Sequence, residues 1–426
     1  MLLNNMSTSG ELYQNLVQEM RSTAHWTPSE IWRGHVEEGR LPRMIGLPDG
    51  RALHVSPTVD RLINQLADDL LQKRPHLKPH WRILDWRQAM ASALAEILAS
   101  LDYDEPDATN ARLVENHVRK WIKGHGLPST KNEIYFGCSI ISSRLEEPIA
   151  IGPVTFLDRQ LWLQRMEAEG CLSKPLTQQV LDVWENDYDL SRLKKPGYFL
   201  TESIIDMVGN CHQICSVSIE RQSAATAEES ALRAARVATA ALALCWEDSV
   251  RALDGMYLLF DQQPRPRTSM KFSSDGTINI GSNWTQRKIA PPVNDVSVTD
   301  FLIERRAYFS VVGDIARTLT APDHEPRLPN AFEALSQALL WFHDGCRERE
   351  SLMAIVKFVA VFDSLSKGGE RKGMVKLICG LLGLQPHSVI TIGGESVQKI
   401  VEILYGKARS RTVHGPNPLF LHDWSP

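Results

Sequence analysis

The sequence predicts an α+β protein: a mostly helical N-terminal region, a mixed α+β middle, and an all-helical bundle at the C-terminal end. Three observations predict it. Helical periodicity dominates the first 130 residues. Runs of β-branched and aromatic residues, punctuated by glycine and proline, begin near residue 131. Beyond a proline-rich stretch at 321–329, the apolar spacing is helical alone. At 426 residues the chain has room for two or three domains, since single cores stop growing at roughly 250–300 residues. The expected organisation is a helical region over 1–130, a sensor or regulatory α+β region over 131–320, a linker over 321–329 and a helical domain over 330–426.

In the first region, Thr27-Pro28-Ser29-Glu30 has the form of a helix start: a capping hydroxyl, proline in the first turn, then an acid. The segment 47–55 reads as a turn feeding a short strand. Helical patterns follow at 58–72, 85–101 and 109–123, separated by proline-containing stretches. In the middle region, Ile134–Ile141, Ile149–Phe156 and Cys215–Glu220 read as strands. A long alanine-rich helix is expected over 226–253, small enough on its surface to pack closely on a sheet. Further strands are expected at Gly255–Phe260, Ser269–Phe272 and Thr277–Ile280, with Asp275-Gly276 as a hairpin turn.

Three prolines between Ala321 and Pro329 rule out a continuous helix there. After them, Leu335, Leu339 and Phe342 mark one helix face, and Ile355, Phe358, Val359, Phe362 and Leu365 mark the next. A third helix over 370–382 is closed by Gly383. Ser396 is a good N-cap for a fourth, which Gly415-Pro416 stops. Four such helices make a small bundle.

Composition narrows the classes. The N-terminus lacks the basic and apolar segments of a signal peptide, and no apolar run approaches the roughly 18 residues of a membrane span. A cytoplasmic protein without a membrane partner is expected. Seven scattered cysteines suit reduced thiols better than a disulfide framework. Cys211-His212-x-x-Cys215 matches no common zinc spacing and reads as the lead into a strand, so no metal is expected. The eleven tryptophans, several beside arginine, read mostly as core anchors rather than base-stacking platforms. The net charge of −4 is uneven: residues 330–426 carry 11 Lys/Arg against 9 Asp/Glu, the remainder 36 against 42. The C-terminal region is therefore the more plausible place to meet phosphate.

The chemistry concentrates where the last helix ends, in Tyr405-Gly406-Lys407-Ala408-Arg409-Ser410-Arg411-Thr412-Val413-His414-Gly415. Histidine titrates near neutrality and serves as acid or base. Arginine stays protonated and grips phosphate oxygens with two donors. An ideal α-helix would set residues five apart about 140° from one another, so His414 is expected at the frayed end, turned back toward Arg409. The helix dipole favours imidazolium there. Arg411 and Lys407 are read as phosphate-contacting or solvated positions, and His343 in Trp341-Phe342-His343-Asp344 as a surface or satisfied core residue in preference to an acid/base.

This string resembles the HEPN superfamily, specifically the Apea-like HEPN proteins of bacteria. Their last helix ends with tyrosine, then Arg-Ser or Arg-Asn, then an apolar residue, His and Gly; Arg409, four intervening residues and His414 fit. Asp363, in Val361-Phe362-Asp363-Ser364-Leu365, stands where the family more often carries glutamate. The resemblance covers roughly 330–416. It implies a HEPN helical bundle acting as a cofactor-free, metal-independent endoribonuclease. Arg409 and His414 are catalytic, Tyr405, Asp363, Ser410 and Arg411 supporting, and Lys407 and Arg411 in contact with RNA. It also implies a homodimer, a role in phage defence or toxin-like growth arrest, and a phage or protein trigger sensed upstream. The rival expectation is a non-catalytic HEPN module that binds nucleotide, RNA or a partner protein.

Overall fold

The computed structural model describes residues 9–39, 41, 43–47, 49–128, 131–141, 144–186, 197–261, 267–272, 278–283, 298–348 and 350–410. The chain is α+β and divides into two compact units: Met1–Lys131 with Glu220–Glu229, and Asn132–Ile219 with Ser230–Pro426.

The first unit holds α1 (Ser9–Thr23), α2 (Pro28–Glu37), a small hairpin of β1 (Met44–Gly46) and β2 (Ala52–His54), α3 (Pro57–Gln72), a 3-10 turn (Pro75–His80), α4 (Ile83–Leu98) and α5 (Asp107–His125). Local chemistry accounts for the starts. The Thr27 hydroxyl accepts the Glu30 N–H at 3.3 Å, and the Glu30 carboxylate accepts the Thr27 N–H at 2.7 Å, a reciprocal cap. Ser56 caps α3 through the Val59 N–H, with Pro57 pre-set in the first turn. Val59, Ile63, Leu66 and Leu70 then bury one face of α3. They meet Leu16, Trp86, Leu94 and Val118 in one core. Trp86 is fully buried, its indole N–H donated to the Ala67 carbonyl at 2.7 Å, and Trp81 lies edge-on against it. Trp32, by contrast, is 57% exposed. Residues 220–229 are tied into this unit: the Ser223 hydroxyl donates to Asp85, and the Thr226 hydroxyl accepts the Arg82 N–H.

The second unit is built on a five-stranded sheet of order β4-β5-β6-β3-β7. Its strands are β3 (Lys131–Ser139), β4 (Ile149–Ile151), β5 (Val154–Asp158), β6 (Gln213–Glu220) and β7 (Tyr257–Leu258). The three expected strand segments all lie in it. The amide of Gln213 fastens β6 beside β3 by accepting from the Ile140 N–H and donating to the Ile141 carbonyl. Helices α6 (Arg159–Ala168), α7 (Lys174–Asn186) and α8 (Gly197–Val208) fall between β5 and β6. The β4–β5 turn passes through Gly152 at φ 60°, against Gly313 of α12 (Arg306–Thr320). A Cβ on Gly152 would lie 2.5 Å from the Gly313 backbone, so the close approach needs glycine.

Two expectations need correction here. The alanine-rich segment is not one helix but two, α9 (Ala224–Ala243) and α10 (Ser249–Gly255). The Asp248 carboxylate starts the second by accepting the Arg251 N–H, and Trp246 leaves the helical path to pack on Phe301 of α11 (Val298–Glu304). The strand expected at Gly255–Phe260 shrinks to two residues, because Gly255 closes α10 and the Asp261 N–H turns back to the Leu258 carbonyl. The hairpin β8 (Arg267–Phe272) and β9 (Ile278–Asn283) is present; its turn at Asp275-Gly276 lies outside the described residues.

Residues 321–328 form a non-helical connection, after which every regular element among the described residues is helical. These are α13 (Pro329–Cys346), α14 (Ser351–Leu365), α15 (Glu370–Leu382) and α16 (Val397–Glu402), the last running into a π-helix over Ile403–Ser410. Gly383, at φ 65°, ends α15 in the left-handed conformation, and Ser396 caps α16. The expected stop at Gly415-Pro416 lies outside the described residues. α14 packs on α13, α15 and the π-helix around Val359, Met374 and Val401. Leu335, Leu339 and Phe342 are only half-buried, with Phe342 meeting Phe358. The buried residues of α13 are instead Ser336, Ala338, His343, Gly345 and Cys346, which do not share one face. Among the described residues, no helix is long and apolar enough to cross a membrane.

Candidate functional site

The end of the last helix departs from α geometry. Over Ile403–Ser410 it is π-helical, with backbone bonds reaching five residues back, a form that recurs at functional sites. On it, Arg409 reaches two groups. Its guanidinium carbon lies 4.8 Å from the centre of the Tyr405 ring, a cation–π contact. Its Nη2 lies 3.7 Å from Asp363 Oδ2, near the end of α14. That distance is a charge contact rather than a hydrogen bond. Asp363 Oδ1 is buried and has no hydrogen-bond partner among the described residues. The Arg409 and Asp363 side chains are 28% and 21% exposed, so the pair is sheltered but reachable.

Of the residues the sequence singles out, the structure thus brings Arg409, Asp363 and Tyr405 together, across 46 positions of chain in the case of the ion pair. His414 and Arg411 lie outside the described residues. Lys407 and Ser410 contribute backbone to the π-helix, and their side chains lie outside what is described. His343 is buried at 2% exposure, interior rather than surface, but its Nε2 has no hydrogen-bond partner among the described residues, so it is not the satisfied core residue expected.

The cysteine cluster is interior as well. Cys215 sits in β6 and Cys211 just before it, both buried, with Cys211 Sγ 3.8 Å from the Tyr257 hydroxyl. Burial pushes the Cys211 thiol up to about 11 and Cys215 higher still, which disfavours the thiolate a metal needs. Among the described residues no group of three metal-binding side chains converges.

Arg236, Asp261, Arg347 and Lys357 were not legible as functional residues. The structure gathers them around His343 and Asp344. The offset of four between His343 and Arg347, one helix face, was the signal available in the sequence. Compared with known protein families, curated proteins and solved structures, the chain matches none.

Proposed function

We propose that the chain is a HEPN-type endoribonuclease of the cytoplasm that cleaves RNA without a metal or cofactor. The observation that carries this reading is the Arg409 corner: a cation braced by Asp363 and Tyr405 at the end of the last helix, with its side chain partly open. Asp363 and Tyr405 position the guanidinium. Arg409 holds non-bridging oxygens of the scissile phosphate and stabilises the charge that builds on them. The substrate's 2′-oxygen attacks phosphorus, and the bond to the 5′-oxygen breaks. His414 donates a proton to that leaving oxygen. The 2′-hydroxyl proton passes to water or to the second imidazole that a homodimer brings to the same cleft. The products are a 2′,3′-cyclic phosphate and a 5′-hydroxyl. Ser410 supports the site, while Lys407 and Arg411 contact neighbouring phosphates. The upstream regions sense a phage or protein trigger, and cleavage of cellular RNA arrests growth.

The test is cleavage of a mixed RNA pool with end mapping. Activity should survive EDTA and leave cyclic phosphate ends. His414→Ala should lose about 100- to 10,000-fold, the span general acid–base groups contribute. Arg409→Lys should also be severely impaired, since lysine keeps the charge but loses the two-pronged grip. Retained cleavage by folded His414→Ala overturns the assignment. RNA binding by the wild type with no cleavage favours the non-catalytic module.

A further inference from the structure

A second polar cluster lies at the C-terminal end of α13, entirely within the second unit. A cavity of about 170 Å³ is lined by Arg236, Asp261, His343, Asp344, Arg347 and Lys357. One water takes about 30 Å³ of liquid, so the space holds something larger. Arg236 comes from α9, Asp261 from the turn after β7, and Lys357 from α14. Three stretches far apart in sequence converge on it, α9, the turn after β7 and the consecutive helices α13 and α14.

Most of the charges satisfy one another. Arg236 gives Asp261 two hydrogen bonds, from Nε at 2.8 Å and from Nη2 at 2.5 Å. Lys357 donates to Glu348 at 2.8 Å and to the Asp344 carbonyl at 3.3 Å. Arg347 is different. Its Nη2 donates to the Met256 carbonyl, but Nε and Nη1 are buried with no hydrogen-bond partner among the described residues. His343 is different too. Its Nδ1 lies 3.1 Å from Asp344 Oδ1, and its Nε2 is buried without a partner among the described residues.

The tautomer follows from that bond. An ionised carboxylate only accepts, so Nδ1 carries the proton and Nε2, buried without a partner among the described residues, keeps a free lone pair. Burial holds the imidazole below its usual pKa, with Arg347 adding to the effect and Asp344 opposing it, so the ring is neutral. Two of the residues that line the cavity thus carry unpartnered groups, the Arg347 donors and the His343 acceptor. Their complement is a small anion with oxygens that accept and one O–H that donates. Carboxylates and sulfate lack that proton at neutral pH; inorganic phosphate keeps an O–H there, whereas a phosphate monoester, its second pKa near 6, must take one up to bind.

We propose that this cavity binds a protonated phosphoryl oxyanion, either free hydrogenphosphate or the phosphate of a nucleotide. Arg347 takes two of its oxygens, and the hydroxyl donates to His343 Nε2. Asp344, with its side chain 44% exposed, stands at the rim. The site is separate from the Arg409 corner, and its test makes no use of RNA cleavage.

Titration calorimetry of the full chain at pH 7 decides it, using inorganic phosphate, adenosine monophosphate and sulfate at matched ionic strength. Saturable phosphate binding with Kd of about 1 mM or tighter is expected. Sulfate should bind at least ~10-fold more weakly, because the His343 lone pair would face an oxygen without a proton. Arg347→Gln should weaken phosphate by ~10-fold or more. Should that chain misfold by circular dichroism, Arg347→Lys, which keeps the charge and loses the fork, should do the same. Tighter binding of the monophosphate than of phosphate assigns the nucleotide; equal or weaker binding assigns the free ion. The proposal falls if folded wild type shows no saturable phosphate binding up to about 10 mM. It falls equally if sulfate binds as well as phosphate, or if the Arg347→Lys protein keeps wild-type affinity.

Discussion

The first unit and the C-terminal helices treat their apolar and charged residues in opposite ways. In the first unit, Leu16, Ile63, Leu66, Trp86, Leu94 and Leu98 are completely buried, and Arg87 is held by both oxygens of Asp68. In the C-terminal helices the buried cluster is small, around Val359, Met374 and Val401, while Leu381, Leu382, Val389 and Ile392 stand in solvent. Arg409 meets its acid only at 3.7 Å, and Arg347 keeps two nitrogens without a hydrogen-bond partner among the described residues. A helix as apolar as α14 that stays half-buried is underused as core. Cations left short of partners are underused as structure. Together they fit a first unit that holds itself and C-terminal helices left to hold something else, the proposed homodimer and oxyanion.

The packing contrast can be broken most directly by truncating one core residue on each side. Leu94→Ala should cost about 2–5 kcal/mol, because a filled core relaxes poorly around a hole. Val359→Ala should cost about 1.5 kcal/mol, the two carbons it removes at about 0.8 each, in a setting that can collapse more easily. Hydrogen exchange in the full chain, read region by region, measures both. Equal losses would mean the bundle is as well packed as the first unit.

Exchanging one acid on each side sharpens the electrostatic contrast. Asp363→Asn should lower RNA cleavage by about 10- to 100-fold through misplacement of Arg409, with little change in melting. Asp68→Asn removes a half-exposed pair worth about 0–1 kcal/mol and should leave cleavage unchanged. Cleavage that ignores Asp363→Asn would reduce its contact with Arg409 to a surface ion pair.

The smallest effect is a pH slope. His343 is held below its ordinary pKa, chiefly by burial, with Arg347 in the same direction and Asp344 and Asp261 opposed. Above about 6.5, the ordinary histidine value, folded and unfolded chains are both neutral there. As pH falls below it, the unfolded chain takes a proton the folded one refuses, so stability drops, by at most about 1.4 kcal/mol per pH unit. Denaturant unfolding of wild type and His343→Gln at pH 7.5 and 5.5 measures this. The substitution should flatten the slope; an unaltered slope would show that His343 is not the group responsible.

What the sequence by itself determined are features decided within a turn or two of chain. Thr27 and Ser56 cap because their hydroxyls reach N–H groups three residues on. Gly383 ends α15 because only a residue without Cβ enters the left-handed region cheaply. The strands at β3, β5 and β6 follow from their β-branched runs. Local rules also misled: alanine content joined α9 to α10, and only the Asp248 cap with the Trp246–Phe301 contact divides them. At the sites, the Tyr405-to-His414 string could be read as chemistry and Asp363 as a supporting residue, but not the contact that joins Asp363 to Arg409. Nor did Leu335, Leu339 and Phe342 disclose that His343 is among the buried residues of α13. Those assignments belong to tertiary structure. Whether a charge finds both its hydrogen bonds, one or none depends on residues such as Asp363, Arg236 and Asp261, brought in from distant chain by packing that no local pattern encodes.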